Sequence, residues 1–346
     1  MTPAAAAEWI GDASGVFRVL DQTKLPAAEI LLDLTTAAGV VDALRRLAIR
    51  GAPLIGVAGA YGVHLGIRDL PDDPVAFARG FAAVRRQVAE ARPTAVNLGW
   101  AVERMRLAAR PEASPFEQKR AVFAAALRLH EDDRVSCARM ASFGVPLVRP
   151  GERLLTYCNS GALATAGEGT ALGVILAAAR AGRVSKVYSS ETRPLLQGAR
   201  LTMWELTRAG VPAVLVCDNT VGELFRRGEV DRVFVGADRI AANGDVANKI
   251  GTYMVATMAA AHGKPFHVVA PASTFDLSTP DGSGIPIEER APEEVLEFAG
   301  LRTAPAGASA FAPAFDVTPA RLIASIVTDR GVIGPVGPSE IRAVLG

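Results

Sequence analysis

LLTYCNSGALATAGEGTALGVILAAARAG, residues 154–182, holds a short apolar run ending at Cys158, a stretch of small residues, and an apolar segment of helical length. The same alternation continues downstream. KVYSSE is followed by LQGARLTMWELTRAG, AVLVCD by VGELFRRGE, RVFVGAD by VANKIGTYMVATMAAAHG, and FHVVAP closes the series. Strand-like runs that alternate with helical segments predict a parallel sheet covered on both faces, because parallel strands need long crossovers. Upstream of Arg149-Pro150-Gly151 the pattern differs. TTAAGVVDALRRLAIRG, VAFARGFAAVRRQVAEARP and FEQKRAVFAAALRLHEDDRVSCARMASFG place apolar residues at three- and four-residue steps, the helical period. FRVLDQTKLP and AEILLDL read as short strands. The expected class is α/β: a mainly helical N-terminal domain with a small sheet over 1–148, then a parallel-sheet domain over 149–346.

A chain of 346 residues can bury the cores of two such domains. Its net charge of +1 provides no field for nucleic acid or a membrane surface. No run is long and apolar enough to span a bilayer, and MTPAAAAEWIGD lacks the basic and apolar regions of an export signal. Three scattered cysteines, Cys137, Cys158 and Cys217, do not make a disulfide framework. These features predict a soluble cytoplasmic protein with free thiols.

Parallel sheets bind ligands beyond the carboxyl ends of their strands. Here those ends carry Cys158-Asn159, Glu191-Thr192-Arg193, Asp218-Asn219, Asp238-Arg239 and Pro271. A single Asp or Asn after a strand is often only a helix cap, and for Asp218 the two readings weigh equally. A series of polar groups at one sheet edge is better explained by a shared site. A buried structural thiol is the commonest state of a free cysteine and is expected for Cys137 and Cys217. Cys158 differs, because the small residues after it and a nearby helix start would expose and activate it. A dinucleotide fingerprint at Gly167 and Gly169 fails, because Gly173 is one position late and Cys158 ends its strand too early. His64, His130, His262 and His267 show no metal-ligand spacing, so no metal and no cofactor are expected.

LAIRGAPLIGVAGAYGV, residues 47–63, ends one helix at Gly51 and can open another at Pro53. Proline at a helix start leaves neighbouring N–H groups able to bind an anion, with Arg50 beside them. Arg92 precedes a second proline turn, and Asn248 and Lys249 read as lying just inside a helix start. Together these cations suit a small phosphorylated molecule.

LDQTKLP, IRGAPLIGVAGAYGV, RPTAVNL, YCNSGALATAGEGTALGVI, ETRPLLQGARLT, VGADRIAANGDVANKIGT, IPIEER and PAFDVTP cover nearly the whole chain. In these segments the chain resembles the methylthioribose-1-phosphate isomerases of methionine salvage. That family is related to ribose-1,5-bisphosphate isomerases and to regulatory subunits of the eukaryotic translation-initiation exchange factor. The resemblance implies a Rossmann-like C-terminal domain, a homodimer and a sugar-phosphate substrate. It also implies Cys158 and Asp238 as the catalytic pair, with Arg50, Gly51, Ala52, Arg92, Gln197, Asn248 and Lys249 contacting substrate. Tyr157 stands where a His is common, Ser190 where an Asp is usual, and Ala312 replaces an Asn. Two alternatives stay open: an isomerase of 5-deoxyribose 1-phosphate or ribose 1,5-bisphosphate, and a non-catalytic regulatory subunit. The Gly- and Pro-rich stretch from Ser273 to Arg290 reads as a loop of lid length.

Overall fold

A computed structural model describes residues 6–92 and 95–346. They form two compact units, each described separately. The first comprises the described residues up to Ala138 together with Ser160–Gly169; the second comprises Arg139–Asn159 and Thr170–Gly346. The chain passes between them at 138/139 rather than at the expected 148/149, and the small-residue loop after Asn159 groups with the first.

The first unit opens with an antiparallel sheet of β1 (Ala7–Ile10), β2 (Val16–Leu20) and β3 (Leu31–Leu34), with β2 in the centre. Helices α1 (Ala37–Arg45), α2 (Ala52–Ile67), α3 (Pro74–Ala89) and α4 (Val96–Ala108) follow, then the long α5 (Pro115–Gly144), whose residues from Arg139 onward belong to the second unit. Leu47, at φ 63°, stops α1 before the expected end at Gly51. Helix α2 is apolar on all sides and buried along most of its length, as a central helix must be. By contrast, α3 buries only Phe77, Phe81 and Val88, a single stripe at helical spacing.

The second unit holds β4 (Glu152–Thr156), α6 (Ala171–Arg180), β5 (Val184–Ser190), α7 (Met203–Arg208), β6 (Ala213–Val216), α8 (Val221–Arg226) and β7 (Arg232–Val235). Next come β8 (Arg239–Ala241), β9 (Val246–Lys249), α9 (Thr252–Ala261), β10 (Phe266–Val269) and β11 (Phe275–Asp276). The chain closes with α10 (Glu293–Leu296), β12 (Glu297–Phe298), β13 (Leu301–Arg302), β14 (Phe315–Thr318), β15 (Ser325–Val327), β16 (Val332–Ile333) and α11 (Pro338–Leu345). The main sheet runs β16-β15-β10-β7-β4-β5-β6, and only the edge strand β16 is antiparallel. The five strands expected from sequence are all present and all parallel. RVFV and FHVV are wholly buried, as strands covered on both faces should be.

Read from β6, the order is β6-β5-β4-β7-β10-β15, the doubly wound Rossmann order. The winding direction reverses between β4 and β7. A crevice forms outside the strand ends at such a reversal, and the residues that follow these two strands are Cys158 and Asp238.

A second sheet, β11-β8-β9-β14, alters two expectations. Asn248 and Lys249 are not inside a helix. They end β9, which pairs with β8 and with β14, and α9 starts only at Thr252. The stretch from Ser273 to Arg290 is not a free loop either. Its β11 pairs with β8, the Thr279 and Pro280 carbonyls accept the Ala242 and Asn243 N–H groups, and the Gly282 N–H donates to Asp245.

Candidate active site

Cys158 follows β4 with a backbone φ of 63°. Its N–H donates to Thr192 Oγ1 at 2.9 Å, and its carbonyl accepts from Thr202 Oγ1 at 2.6 Å. Only 9% of the residue is exposed. The expected exposed thiol beside a flexible loop is therefore corrected. The segment that follows packs as a buried 3-10 turn, Ala162–Ala164, closed by a Gly161–Gly169 bridge. Asn159 is buried as well, its side-chain amide donating to Glu205 at 2.7 Å and to Thr202 at 3.3 Å. Cys137 is buried as expected, and burial pushes its thiol up to about 12. Cys217 corrects the other expectation: it is exposed, with the Glu191 charge raising its pKa.

Asp238 sits between β7 and β8, half-buried, and its N–H donates to Ala247 at 2.9 Å. That bond places Asp238 directly beside Asn248. The Asn248 amide donates to Thr252 Oγ1 at 3.1 Å, and Thr252 Oγ1 donates to the Lys249 carbonyl at 2.6 Å. Lys249 Nζ lies 4.8 Å from the centre of the Phe315 ring, a cation–π distance. The corner after Lys249 is tightly specified. Tyr157, next to Cys158, donates its hydroxyl to the Ile250 carbonyl at 2.8 Å. Gly251 takes φ 101°, and a Cβ there would lie 2.0 Å from that hydroxyl. A side chain at 251 is excluded on both counts.

Gln197 introduces a π-turn over Gly198–Thr202, a feature frequent at functional sites. It is 7% exposed, and its Oε1 is buried without a partner among the described residues. A buried acceptor left unpaired costs about 1–3 kcal/mol, so a donor supplied by a ligand would be favoured. Cys158, Asp238, Gln197, Asn248 and Lys249 thus gather along one edge of the second unit.

Arg50, Gly51, Ala52 and Arg92 belong to the first unit. Gly51 caps α2 at φ 94°, where a Cβ would meet Ala164 Cα at 2.5 Å. Ala52 opens the helix and Pro53 follows, as the sequence predicts. Arg92 precedes α4, its carbonyl accepting the Ala95 N–H at 3.0 Å. Pro93, the second expected proline turn, lies outside the described residues. Among the described residues no three His, Cys, Asp or Glu side chains cluster as a metal site requires, and no helix is long and apolar enough to cross a membrane.

Sequence reasoning passed over Asp316 on β14. Its carboxylate accepts from the Gly251 N–H at 2.7 Å and the Tyr253 N–H at 3.1 Å, capping α9. Burial, the largest cause, raises its pKa from 3.8 to about 6, although both N–H bonds and the Lys249 charge oppose the shift. The folded chain then holds this proton more tightly than the unfolded chain. The stability that Asp316 contributes is full below about pH 4 and lost as pH rises through about 6. His267 acts in the opposite direction. Burial lowers its pKa to about 3, so its contribution is lost as pH falls through that value. The difference between wild type and Asp316→Asn isolates the carboxyl. Between about pH 4 and pH 7 the wild type should lose up to about 3 kcal/mol relative to the variant, measured by urea unfolding. A difference that does not change with pH would sink the assignment.

The model of the Initiation factor 2 subunit family matches residues 48–335. The chain belongs to that family. Within the initiation factor 2 subunit family, it is 53% identical over 327 residues to the methylthioribose-1-phosphate isomerase of Anaeromyxobacter dehalogenans, covering 93% of this chain and 92% of that one. It is 49% identical to the isomerase of Thioalkalivibrio sulfidiphilus, covering 95% and 94%. The crystal structure of 5-methylthioribose 1-phosphate isomerase from Pyrococcus horikoshii OT3 matches with a TM-score of 0.90 and 37% identity, over 99% of this chain and 96% of that one. Another member, translation initiation factor eIF-2B subunit delta from A. fulgidus, matches at 0.84 and 38%, over 99% of both chains. The resemblance read from the motifs therefore holds along nearly the full length.

Proposed function

We propose that the protein is an aldose-ketose isomerase that converts 5-methylthioribose 1-phosphate to 5-methylthioribulose 1-phosphate in methionine salvage. The observation that carries this reading is the placement of Cys158 and Asp238 after the two strands that flank the sheet's reversal point, in a chain 53% identical to an isomerase. A regulatory subunit would have no need of that pair.

The chemistry explains the residue types. An aldose isomerises through its open aldehyde, but a phosphate on C1 blocks spontaneous ring opening. In the proposed mechanism Asp238 gives a proton to the ring oxygen as its bond to C1 breaks, then takes the proton of the C2 hydroxyl as the ketone forms. The hydrogen on C2 moves to C1 beside Cys158, either as a proton carried by the sulfur or as a hydride in a pocket the sulfur shapes. Incorporation of solvent deuterium at C1 identifies the proton route. Gln197, Asn248 and Lys249 serve the sugar and its phosphate. Arg50, with the N–H groups at Gly51 and Ala52, serves the phosphate, and so does Arg92. General acid–base catalysis contributes a factor of about 10²–10⁴, and positioning and electrostatics supply the rest. The enzyme works as a homodimer, as the family resemblance implies, and in the cytoplasm, as the composition suggests; light scattering checks the dimer.

Steady-state kinetics on three sugar phosphates test the reading. The kcat/KM for 5-methylthioribose 1-phosphate should exceed those for 5-deoxyribose 1-phosphate and ribose 1,5-bisphosphate. Failure to turn over any of them would return the chain to the regulatory class. Arg50→Ala should raise KM about tenfold or more, since a charge-assisted hydrogen bond is worth roughly 1.5–3 kcal/mol. An unchanged KM would remove Arg50 from the phosphate site.

A further inference from the structure

Two residues face each other across the ends of the adjacent strands β4 and β5, both in the left-handed backbone region: Cys158 at φ 63° and Thr192 at φ 66°. A β-branched residue there is an outlier, and a turn with only a structural role would use Gly or Asn. Strain of this kind persists where the surroundings over-determine it. Here they do. Thr192 Oγ1 accepts the Cys158 N–H and donates to the Ser190 carbonyl at 3.0 Å. On the other side, Thr202 Oγ1 donates to the Cys158 carbonyl. Behind Thr192 stands Asp218. Its Oδ1 accepts from Ser190 Oγ at 2.6 Å and from the Thr192 N–H at 2.8 Å, and its Oδ2 accepts from the Arg193 N–H at 2.7 Å. Ser190, Thr192 and Thr202 are fully buried, so these bonds do not compete with water.

We propose that Thr192 and Thr202 are positioning residues that clamp the Cys158 backbone from both sides, with Asp218 bracing Thr192. Fixing the amide on one side of Cys158 and the carbonyl on the other fixes its φ and ψ, and with them the direction of the Cα–Cβ bond that carries Sγ. Asp218, which sequence left balanced between helix cap and site residue, acts as neither: it organises the turn that holds the clamp. Ser190, at a position where the family commonly has an acid, completes the brace by donating to Asp218. The inference rests on Cys158 being a reacting group and adds the residues that aim it.

The test uses Thr192→Val, Thr192→Ser, Thr202→Val and Asp218→Asn in the full-length chain, with Cys217→Ser as background to remove the exposed thiol. Valine keeps the branching of threonine, so the strain at position 192 is unchanged and only the hydroxyl is lost. Two readouts are taken: kcat and KM on 5-methylthioribose 1-phosphate, and the pH dependence of Cys158 alkylation by iodoacetamide, followed by peptide mass spectrometry. The expected result for both valine variants is a kcat lower by about 10- to 10²-fold, the scale of a small misplacement of a reacting group. KM should stay within about twofold and the alkylation profile should shift. Thr192→Ser, which keeps the hydroxyl, should return most of the rate, and Asp218→Asn should fall between. Valine variants with wild-type kcat and alkylation would overturn the clamp. So would a lowered thermal midpoint with both readouts unchanged, since the hydroxyls would then serve stability alone. If Thr192→Val does not fold, Thr202→Val decides by the same criteria. Alkylation requires no isomerase activity. A fully active Cys158→Ser enzyme would therefore refute the role of Cys158 in the reaction, while the clamp would still stand or fall on alkylation.

Discussion

Cys158→Ser and Asp238→Asn should each lower kcat by at least about 10²-fold, the scale of a lost acid–base group. Both changes are nearly isosteric, and both leave untouched the backbone bonds that anchor the two residues. Cys158 is fixed through its N–H and carbonyl, and Asp238 through its N–H to Ala247. Folding should therefore survive, and circular dichroism with thermal melting verifies it before rates are compared. Serine offers a far weaker acid than a thiol, so the smaller atom cannot replace sulfur in moving a proton. Asparagine keeps one acceptor at 238 but can neither give nor take the proton at the ring oxygen. A folded variant with near-normal turnover would strike that residue from the mechanism.

Gly198→Ala should severely destabilise the second unit. A Cβ at 198 would lie 1.7 Å from the Ser190 carbonyl oxygen and 2.8 Å from its carbon. The obstacle is backbone, so no rotamer change relieves it. That oxygen also accepts the Thr192 hydroxyl, and its strand pairs with both β4 and β6. The π-turn must move instead, taking Gln197 at its start and Thr202 at its end out of position. The expected loss exceeds about 4 kcal/mol, beyond the ordinary range for one substitution, and activity should vanish with it. Gly99→Ala is the control. It lies exposed in α4 with nothing within 4 Å of the new Cβ, so it should be neutral or stabilise by up to about 1 kcal/mol. Equal melting of the two variants would mean that the π-turn can yield without cost.

Much of this arrangement is written locally. Apolar runs of strand length, set between helical stretches, locate β4, β5, β6, β7 and β10 without reference to anything distant, because period and composition act over a few residues. The same locality puts Cys158 and Asp238 at strand ends, and Gly51 with Pro53 at the start of α2. Motif resemblance added Gln197, whose buried and unpaired oxygen no local signal announces. Other features depended on partners far along the chain. VANK reads as the start of a helix because the segment after it is helical. It is a strand because FDVT pairs with it in the antiparallel register Asn248–Asp316, and Gly251 breaks the chain before α9 begins. The stretch from Ser273 reads as a loop because its Gly and Pro residues suppress periodicity, yet Asp245 and β8 tie it to a sheet. Cys217 is exposed because it follows the edge strand β6, and nothing in AVLVCD says that β6 is an edge. Sequence by itself thus determined which residues stand at the strand ends, since that is a matter of local period and propensity. Only the tertiary structure decided that β4 and β7 are neighbours at the reversal point, and that Thr192, Thr202 and Asp218 converge on Cys158, because strand order and buried hydrogen bonds join residues whose separation along the chain leaves no local trace.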